Sequence, residues 1–507
     1  MGTAWIGWVA VGILAGSAPN ALAAVSQVQA APQEAAQGDA TVALTYAAAQ
    51  QRIRSNSSLG RAAGYGMQAA RAQADVAAGL NRPTVALDAQ LIHYRKTFDL
   101  SLGDTLDRAQ AELGAAIPGL IADLPGVPGD VLQSVGQRLE AALPEIFAAL
   151  PQDVRLQVDD TTFRPTVTAL QPIYTGGAIP ALRRAAAANV DLAQAKQQEA
   201  VSLEDVNLAR AYFGQVLAAE ALKIARETRD GFDLHLRNAR LLESQGVLSH
   251  AQTLQVEVAR DAAQRQVNRA ELEHDNAMAS LARVVDTNGP VVPTTPLFVN
   301  RDPIGPAGVF LDQASQTNAR LAQAQAGRDL AEAGADLAAS RMKPSVYAFG
   351  TYNLNPDDAL PTEPDWAVGI GARYTLISTV DRRRMLGAAR AQASAAAEVE
   401  RQARDDARLL VTRAYNQAEL ARRQFLSMDS SLEAASENLR VQEVGFREGE
   451  ATAASVVDAR NLLGAARLQR AAAAYEYDLS LAALLAASGS DLTLNDYLQR
   501  EDRISAP

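Results

Sequence analysis

The chain has 507 residues, with 47 Lys or Arg against 58 Asp or Glu and a formal charge of −11. That balance excludes a general nucleic-acid binder, which needs a basic surface for phosphate. The absence of cysteine excludes disulfides, Cys-ligated zinc, thiol catalysis and lipidation on Cys.

Residues 1–23 carry no charged side chain, and an apolar run from Trp5 to Ala15 leads to the small-x-small triplet Ala21-Leu22-Ala23. This predicts a signal peptide cleaved near Ala23, the competing reading being a short membrane anchor. No later segment offers about 20 uninterrupted apolar residues, so no transmembrane helix is expected. An exported chain of this kind is either soluble in the periplasm or part of an outer-membrane β-barrel. The first structural unit is placed at 24–290. It holds a helical segment at about 41–80, strands at about 84–99 and 162–172, and a loop insertion at about 100–160. That insertion is rich in Leu, Ala, Gly and Pro, with helix-like stretches at 104–115 and 130–149. A stretch without proline at about 181–245 follows and predicts a rod of about 100 Å. Gly246 breaks it, and a return helix of roughly 35 residues runs back. A linker at 291–306 leads to the second unit, 307–487, with strands at about 345–354 and 365–376. A long helix at about 384–447 is broken at Gly449, and a tail covers 488–507.

The two units repeat. Arg-Ala-Tyr occurs at 210–212 and again at 413–415, and the same offset of 203 pairs Leu236-Arg237 with Leu439-Arg440 and Gly246 with Gly449. Upstream, Arg82-Pro83-Thr84-Val85 resembles Lys343-Pro344-Ser345-Val346 at an offset of 261, so the first unit carries 58 extra residues. A tandem duplication with one insertion is expected, built on coiled-coil helices far longer than a compact globule holds.

Strand four alternates most clearly, with Trp366, Val368, Ile370, Ala372, Tyr374 and Leu376 on one face. Strand two sets Phe163, Val167 and Ala169 against Arg164, Thr166 and Thr168, and strand one sets Val85, Leu87, Ala89 and Leu91 against Asp88 and Gln90. Period-two alternation suits a half-buried strand and a membrane-barrel strand equally. Aromatic placement favours the membrane. Of 25 aromatics, nine lie in or beside these strands: Tyr94, Phe98, Phe163, Tyr174, Tyr347, Phe349, Tyr352, Trp366 and Tyr374. Seven of them, Tyr94, Phe98, Phe163, Tyr347, Tyr352, Trp366 and Tyr374, are the candidate membrane-interface residues. Four strands cannot close a barrel, since the smallest has about eight, so lipid contact requires oligomerisation, and three copies supply twelve.

Export signal, duplicated strand–strand–long helix–Gly–helix units and four strands per chain together resemble the outer-membrane efflux protein family, the TolC-like channels. The most specific stretch is Phe446-Arg447-Glu448-Gly449 leading to Val456-Val457-Asp458-Ala459-Arg460, similar to the family's helical tip. Ser244-Gln245-Gly246-Val247-Leu248-Ser249 is its looser first-half counterpart, and Gln171-Pro172-Ile173-Tyr174 is similar to the family's strand-to-helix turn. The resemblance implies a mainly α fold with a small β-barrel portion. It implies a homotrimer whose twelve-strand barrel sits in outer-membrane lipid and whose α-barrel crosses the periplasm. It also implies a periplasmic adaptor and an inner-membrane pump as partners, in efflux or type I secretion, with no cofactor. The residues leave the cargo open.

Gate residues carried over from the resemblance are Asp458, Ser455, Phe446 and Gln252. Only Asp458 keeps a family acid, while Phe446 and Ala451 stand where the family often holds Tyr and Arg. Three Asp458 side chains would ring the tip and favour cations. Gly246, Val247, Leu248, Gly449, Glu450 and Ala451 are candidates for adaptor docking. The arginines at 382–384, just below strand four, are expected on a solvated or headgroup-adjacent face. The insertion is expected as an enlarged extracellular loop. The alternative is a pore-free periplasmic coiled-coil scaffold or adaptor, which leaves the aromatic strands unexplained. No Walker loop, nucleophile elbow or paired-carboxylate motif points to an enzyme.

Overall fold

The computed structural model describes residues 42–122, 129–151, 153–358 and 364–506, so the expected signal at 1–23 lies outside the described residues. The order of elements begins β1 (Val42–Leu44), α1 (Tyr46–Asn56), α2 (Ser58–Ala78), β2 (Thr84–Ser101), α3 (Gly103–Ala122) and α4 (Gly129–Ala148). It continues with β3 (Asp153–Tyr174), α5 (Ala178–Ser244), α6 (His250–Val284), β4 (Val291–Pro293) and β5 (Phe298–Asn300). The second half follows as α7 (Ala307–Thr317), α8 (Ala319–Ser340), β6 (Ser345–Asn353), β7 (Trp366–Arg373), α9 (Arg382–Glu448) and α10 (Ala453–Ser488). Helix α11 (Leu494–Leu498) and β8 (Arg503–Ser505) close the chain.

Helices α5 and α9 each run 67 residues, about 100 Å at 1.5 Å per residue. Each ends at a left-handed glycine, Gly246 at φ +75° and Gly449 at φ +82°. The following N–H reaches back to the last turn, Val247 to the Leu242 carbonyl at 2.9 Å and Glu450 to the Gly445 carbonyl at 2.8 Å. This is the helix stop that glycine permits and a Cβ opposes. Ser249 and Thr452 then cap the return helices α6 and α10.

Each expected single segment before a strand is two helices. Ser57 and Asn318 leave the helical region at ψ 128° and 120°, and each side chain caps the next helix. Helix α8 lies between α5 and α9, held by Arg320–Glu199 at 2.7 Å and Arg184–Asp336 at 2.8 Å on one side. On the other side Arg328 meets Glu400 at 2.7 Å. Among the described residues helix α2 packs mainly along α5 and leaves Tyr65 and Val76 exposed.

The expected linker and tail are structured. Strand β4 pairs in parallel with β1, and β5 pairs antiparallel with β8. They surround the main core, where Tyr46, Tyr212, Phe213, Phe298 and Tyr477 are fully buried at mid-length of the helices. Tyr212 joins three segments: its hydroxyl donates to the Leu44 carbonyl at 2.8 Å and accepts from the Thr294 and Thr295 N–H groups at 3.1 and 2.9 Å.

The third sheet is antiparallel in the order β2-β3-β6-β7. Its second strand begins at Asp153, nine residues before the expected 162, and pairs with β2 out to Ser101. Part of the expected loop is therefore strand, and the remainder carries the α3–α4 hairpin. Strand β7 stops at Arg373, short of the expected 376, which leaves Tyr374 and Leu376 beyond it.

Candidate functional site

Residues directly opposite in an antiparallel pair share a face, so the register decides what the sheet presents. One face carries Val85, Leu87 and Leu91 of β2, Phe163, Val167 and Ala169 of β3, Tyr352 of β6, and Trp366, Val368 and Ile370 of β7. It is open: Leu91 is 74% exposed, Val368 72% and Ile370 73%. Apolar surface of this extent left uncovered marks a lipid or protein contact. Trp366 pairs with Tyr352 at one end of β6–β7, and exposed Tyr174 and Tyr374 lie at the other. Strand β7 spans 8 residues, about 27 Å, with Trp366 at its start and Tyr374 just beyond its end.

Tyr347 lies on the opposite face. It covers Gly371, where a Cβ would stand 2.6 Å from the ring, and Phe349 likewise covers Gly369. Beyond the Leu91–Phe163 pair the polarity of the ribbon reverses. His93, Arg95, Thr97 and Asp99 now continue the formerly apolar face, joined to β3 by Arg95–Asp159 at 2.5 Å and Arg155–Asp99 at 2.7 Å. Tyr94 and Phe98 consequently sit half-buried on the other face, in the part of the ribbon that outruns β6. The arginine run is partly a fastener: Arg382 donates to the carbonyls of Arg341, Thr375 and Leu376, while Arg384 is exposed and pairs with Asp381.

At the other end of the molecule the two helix pairs meet in an apolar cluster of Leu236 and Ala239 from α5, Val256 from α6, Leu439 and Phe446 from α9, and Val456 from α10. Phe446 is 3% exposed, and the His235 ring meets it edge-on with centroids 4.5 Å apart. His235 is buried as well, its Nε2 3.4 Å from the Ala453 carbonyl, and burial holds its pKa below the usual imidazole range. Arg460 from α10 pairs with Glu443 of α9 and stands over the Phe232 ring of α5 at 5.9 Å. Burial lowers its pKa too, against the raising effect of Glu443.

The four carried-over gate residues separate in the structure. Phe446 is core. Gln252 is a cap, its Oε1 accepting from the Ser249 N–H and hydroxyl at 3.1 and 2.9 Å. Ser455 donates to the Thr452 carbonyl at 2.8 Å within the first turn of α10. Asp458 is exposed. Of the docking candidates, Gly246, Val247, Gly449 and Glu450 are exposed at the turns, while Leu248 and Ala451 pack against the apolar cluster. The sequence reading gave no role to His235, Gly231, Phe232 and Glu443, nor to Arg460, which it named only as the end of the tip stretch. One signal was present: a glycine in mid-helix at 231, at odds with helix propensity.

Residues 310–490 match the family described as outer membrane efflux protein. Protein CyaE of Bordetella pertussis is 27% identical over 273 residues, which span 50% of this chain and 56% of that protein. Among solved structures, the outer-membrane channel OprN superposes with a TM-score of 0.67 at 17% identity, covering 88% of this chain and 89% of that one. The Campylobacter jejuni CmeC outer membrane channel gives 0.66 at 13% identity, covering 90% and 89%. The resemblance drawn from the tip and the strands is therefore upheld, and the mainly helical fold with a small sheet is that of these channels.

Proposed function

We propose, on the premise that residues 310–490 are an outer membrane efflux protein segment set within a channel fold, that the chain is one third of a passive exit duct. Three copies close twelve strands into an outer-membrane barrel, and their paired long helices continue it through the periplasm. The open sheet carries this reading. Its edges, β2 and β7, have no partner strand among the described residues, while one face is apolar and exposed. In lipid every backbone group must be paired, so an open four-stranded sheet belongs to a closed ring made with other copies.

The helices support a ring of repeats. Helices α1 and α7 have 11 residues each and start 261 apart, as α2 and α8 do. Helix α8 is bracketed by two long helices whereas α2, among the described residues, packs mainly along one, so the free side of α2, with Tyr65 and Val76, awaits α9 of the next copy. The exposed turns at Gly246–Leu248 and Gly449–Ala451 would meet a periplasmic adaptor serving an inner-membrane pump, in drug efflux or in type I secretion. Three Asp458 carboxylates would ring the tip, and the α3–α4 hairpin would stand outside the cell.

Membrane extraction and light scattering test the assembly. A detergent-dependent particle of three copies that conducts ions in planar bilayers is expected. A protein that stays soluble without detergent and forms no pore refutes the duct and leaves the coiled-coil scaffold.

A further inference from the structure

The two long hairpins carry the same ion pair with its charges reversed. In the first, Arg240 of α5 faces Glu257 of α6 at 3.5 Å, with side chains 58% and 43% exposed. In the second, at positions shifted by 203, Glu443 of α9 faces Arg460 of α10, but Arg460 is only 14% exposed. The difference is its seat. The Arg460 guanidinium lies against Gly231 of α5, where any Cβ would overlap it, and over the Phe232 ring. His235, one turn further along α5, fills the next space against Phe446 and the Ala453 carbonyl.

We infer that Arg460, seated on Gly231 and flanked by His235, is a positioning residue that pins the α9–α10 tip to α5 and holds that end of the duct narrow. This deepens the channel reading and rests on it. The seat has the properties of a releasable catch. A guanidinium there has Glu443 as its ion-pair partner, and its Nε is buried without an acceptor among the described residues. Holding a charge so poorly solvated is costly, and rehydration on separating α5 from α10 offsets part of the lost packing. Opening would exchange the seated arrangement for a hydrated one, the kind of two-state change a gate needs. The reversed pair on the first hairpin faces solvent and supplies no such catch.

Gly231→Ala tests this against helix physics, because the exchange favours an isolated helix yet removes the seat from the opposite side of the contact. Planar-bilayer recordings of the full chain should show Gly231→Ala and Arg460→Ala each raising the open fraction by about three- to thirty-fold. The double variant should rise no further than either single. Exchanging the pair, Glu443→Arg with Arg460→Glu, should recover thermal stability but not the narrow state, since a carboxylate gains nothing over Phe232. Wild-type opening in Gly231→Ala, additive effects in the double variant, or full closure in the exchanged pair would each overturn the pin. Amide exchange at 453–460 gives a readout independent of conduction. It should quicken in Gly231→Ala, and unchanged exchange overturns the pin. Absence of current from the wild type and from both single variants removes the channel reading instead.

Discussion

Removing one oxygen from Tyr212 tests how the middle of the molecule is fastened. The side chain is fully buried, and its hydroxyl bridges the start of the described chain, the 291–306 segment and α5. In Tyr212→Phe the ring still packs on Tyr46 and Phe213, at 5.5 and 5.3 Å. The Thr294 N–H keeps its second acceptor, the Leu44 carbonyl at 3.0 Å, and that carbonyl keeps its donor. The Thr295 N–H loses its acceptor. One orphaned, half-buried donor costs about 1–3 kcal/mol, and loss of the hydroxyl's bond to Leu44 adds about 1 kcal/mol. The expected loss is therefore about 2–4 kcal/mol, concentrated in β1 and β4. Amide exchange of 42–44 and 291–295, with the melting temperature of the detergent-solubilised protein, measures it. A variant within about 0.5 kcal/mol of wild type, or one loosened far from these strands, would refute this reasoning.

Asp458→Ala should reduce cation preference and multivalent-cation block in single-channel recordings, and unchanged selectivity would remove the proposed carboxylate ring. Gly449→Ala places a Cβ at φ +82°, so the turn should lose about 1–2 kcal/mol, seen as faster proteolysis at the tip. Burial holds the His235 pKa down against the raising effect of its hydrogen bond to the Ala453 carbonyl, and the Arg460 charge adds to the lowering. Its folded pKa lies below the unfolded one, so its contribution is complete above the ordinary value of 6.5 and falls as acid is added below it. Protection of the tip amides, taken relative to their intrinsic exchange rate at each pH, should fall from about pH 6.5 downward, and His235→Phe should flatten that dependence. Replacing 102–152 with Asn-Gly keeps the Ser101–Asp153 pair and supplies a two-residue hairpin turn. Oligomer size should not change, and dissociation would show instead that the insertion holds copies together.

Periodicity is local, and what it encodes was readable early. Helix lengths, the glycines that end them and the apolar face of β7 all depend on neighbours within one turn or one strand. The first half of β3 escaped because its polarity alternates in the phase opposite to that of 163–169. Only pairing with β2 makes Asp159 the partner of Arg95. Gln252 was read as a gate residue by position in a motif, but its amide is occupied by Ser249 three residues away.

The tip shows where local information ends. Gly231 and Arg460 are 229 positions apart, and no spacing rule connects a helix glycine to an arginine on another helix. That Phe446 fills a core follows from His235 reaching it from α5, which requires both hairpins to be folded and docked. The same holds for the sheet: alternation established that each strand has an apolar side. Register made those sides one surface and turned Tyr347 away from it. Patterns of 3.6 and 2 residues follow from backbone geometry and can be read along the chain, whereas contacts between distant segments exist only once the core has chosen which faces meet.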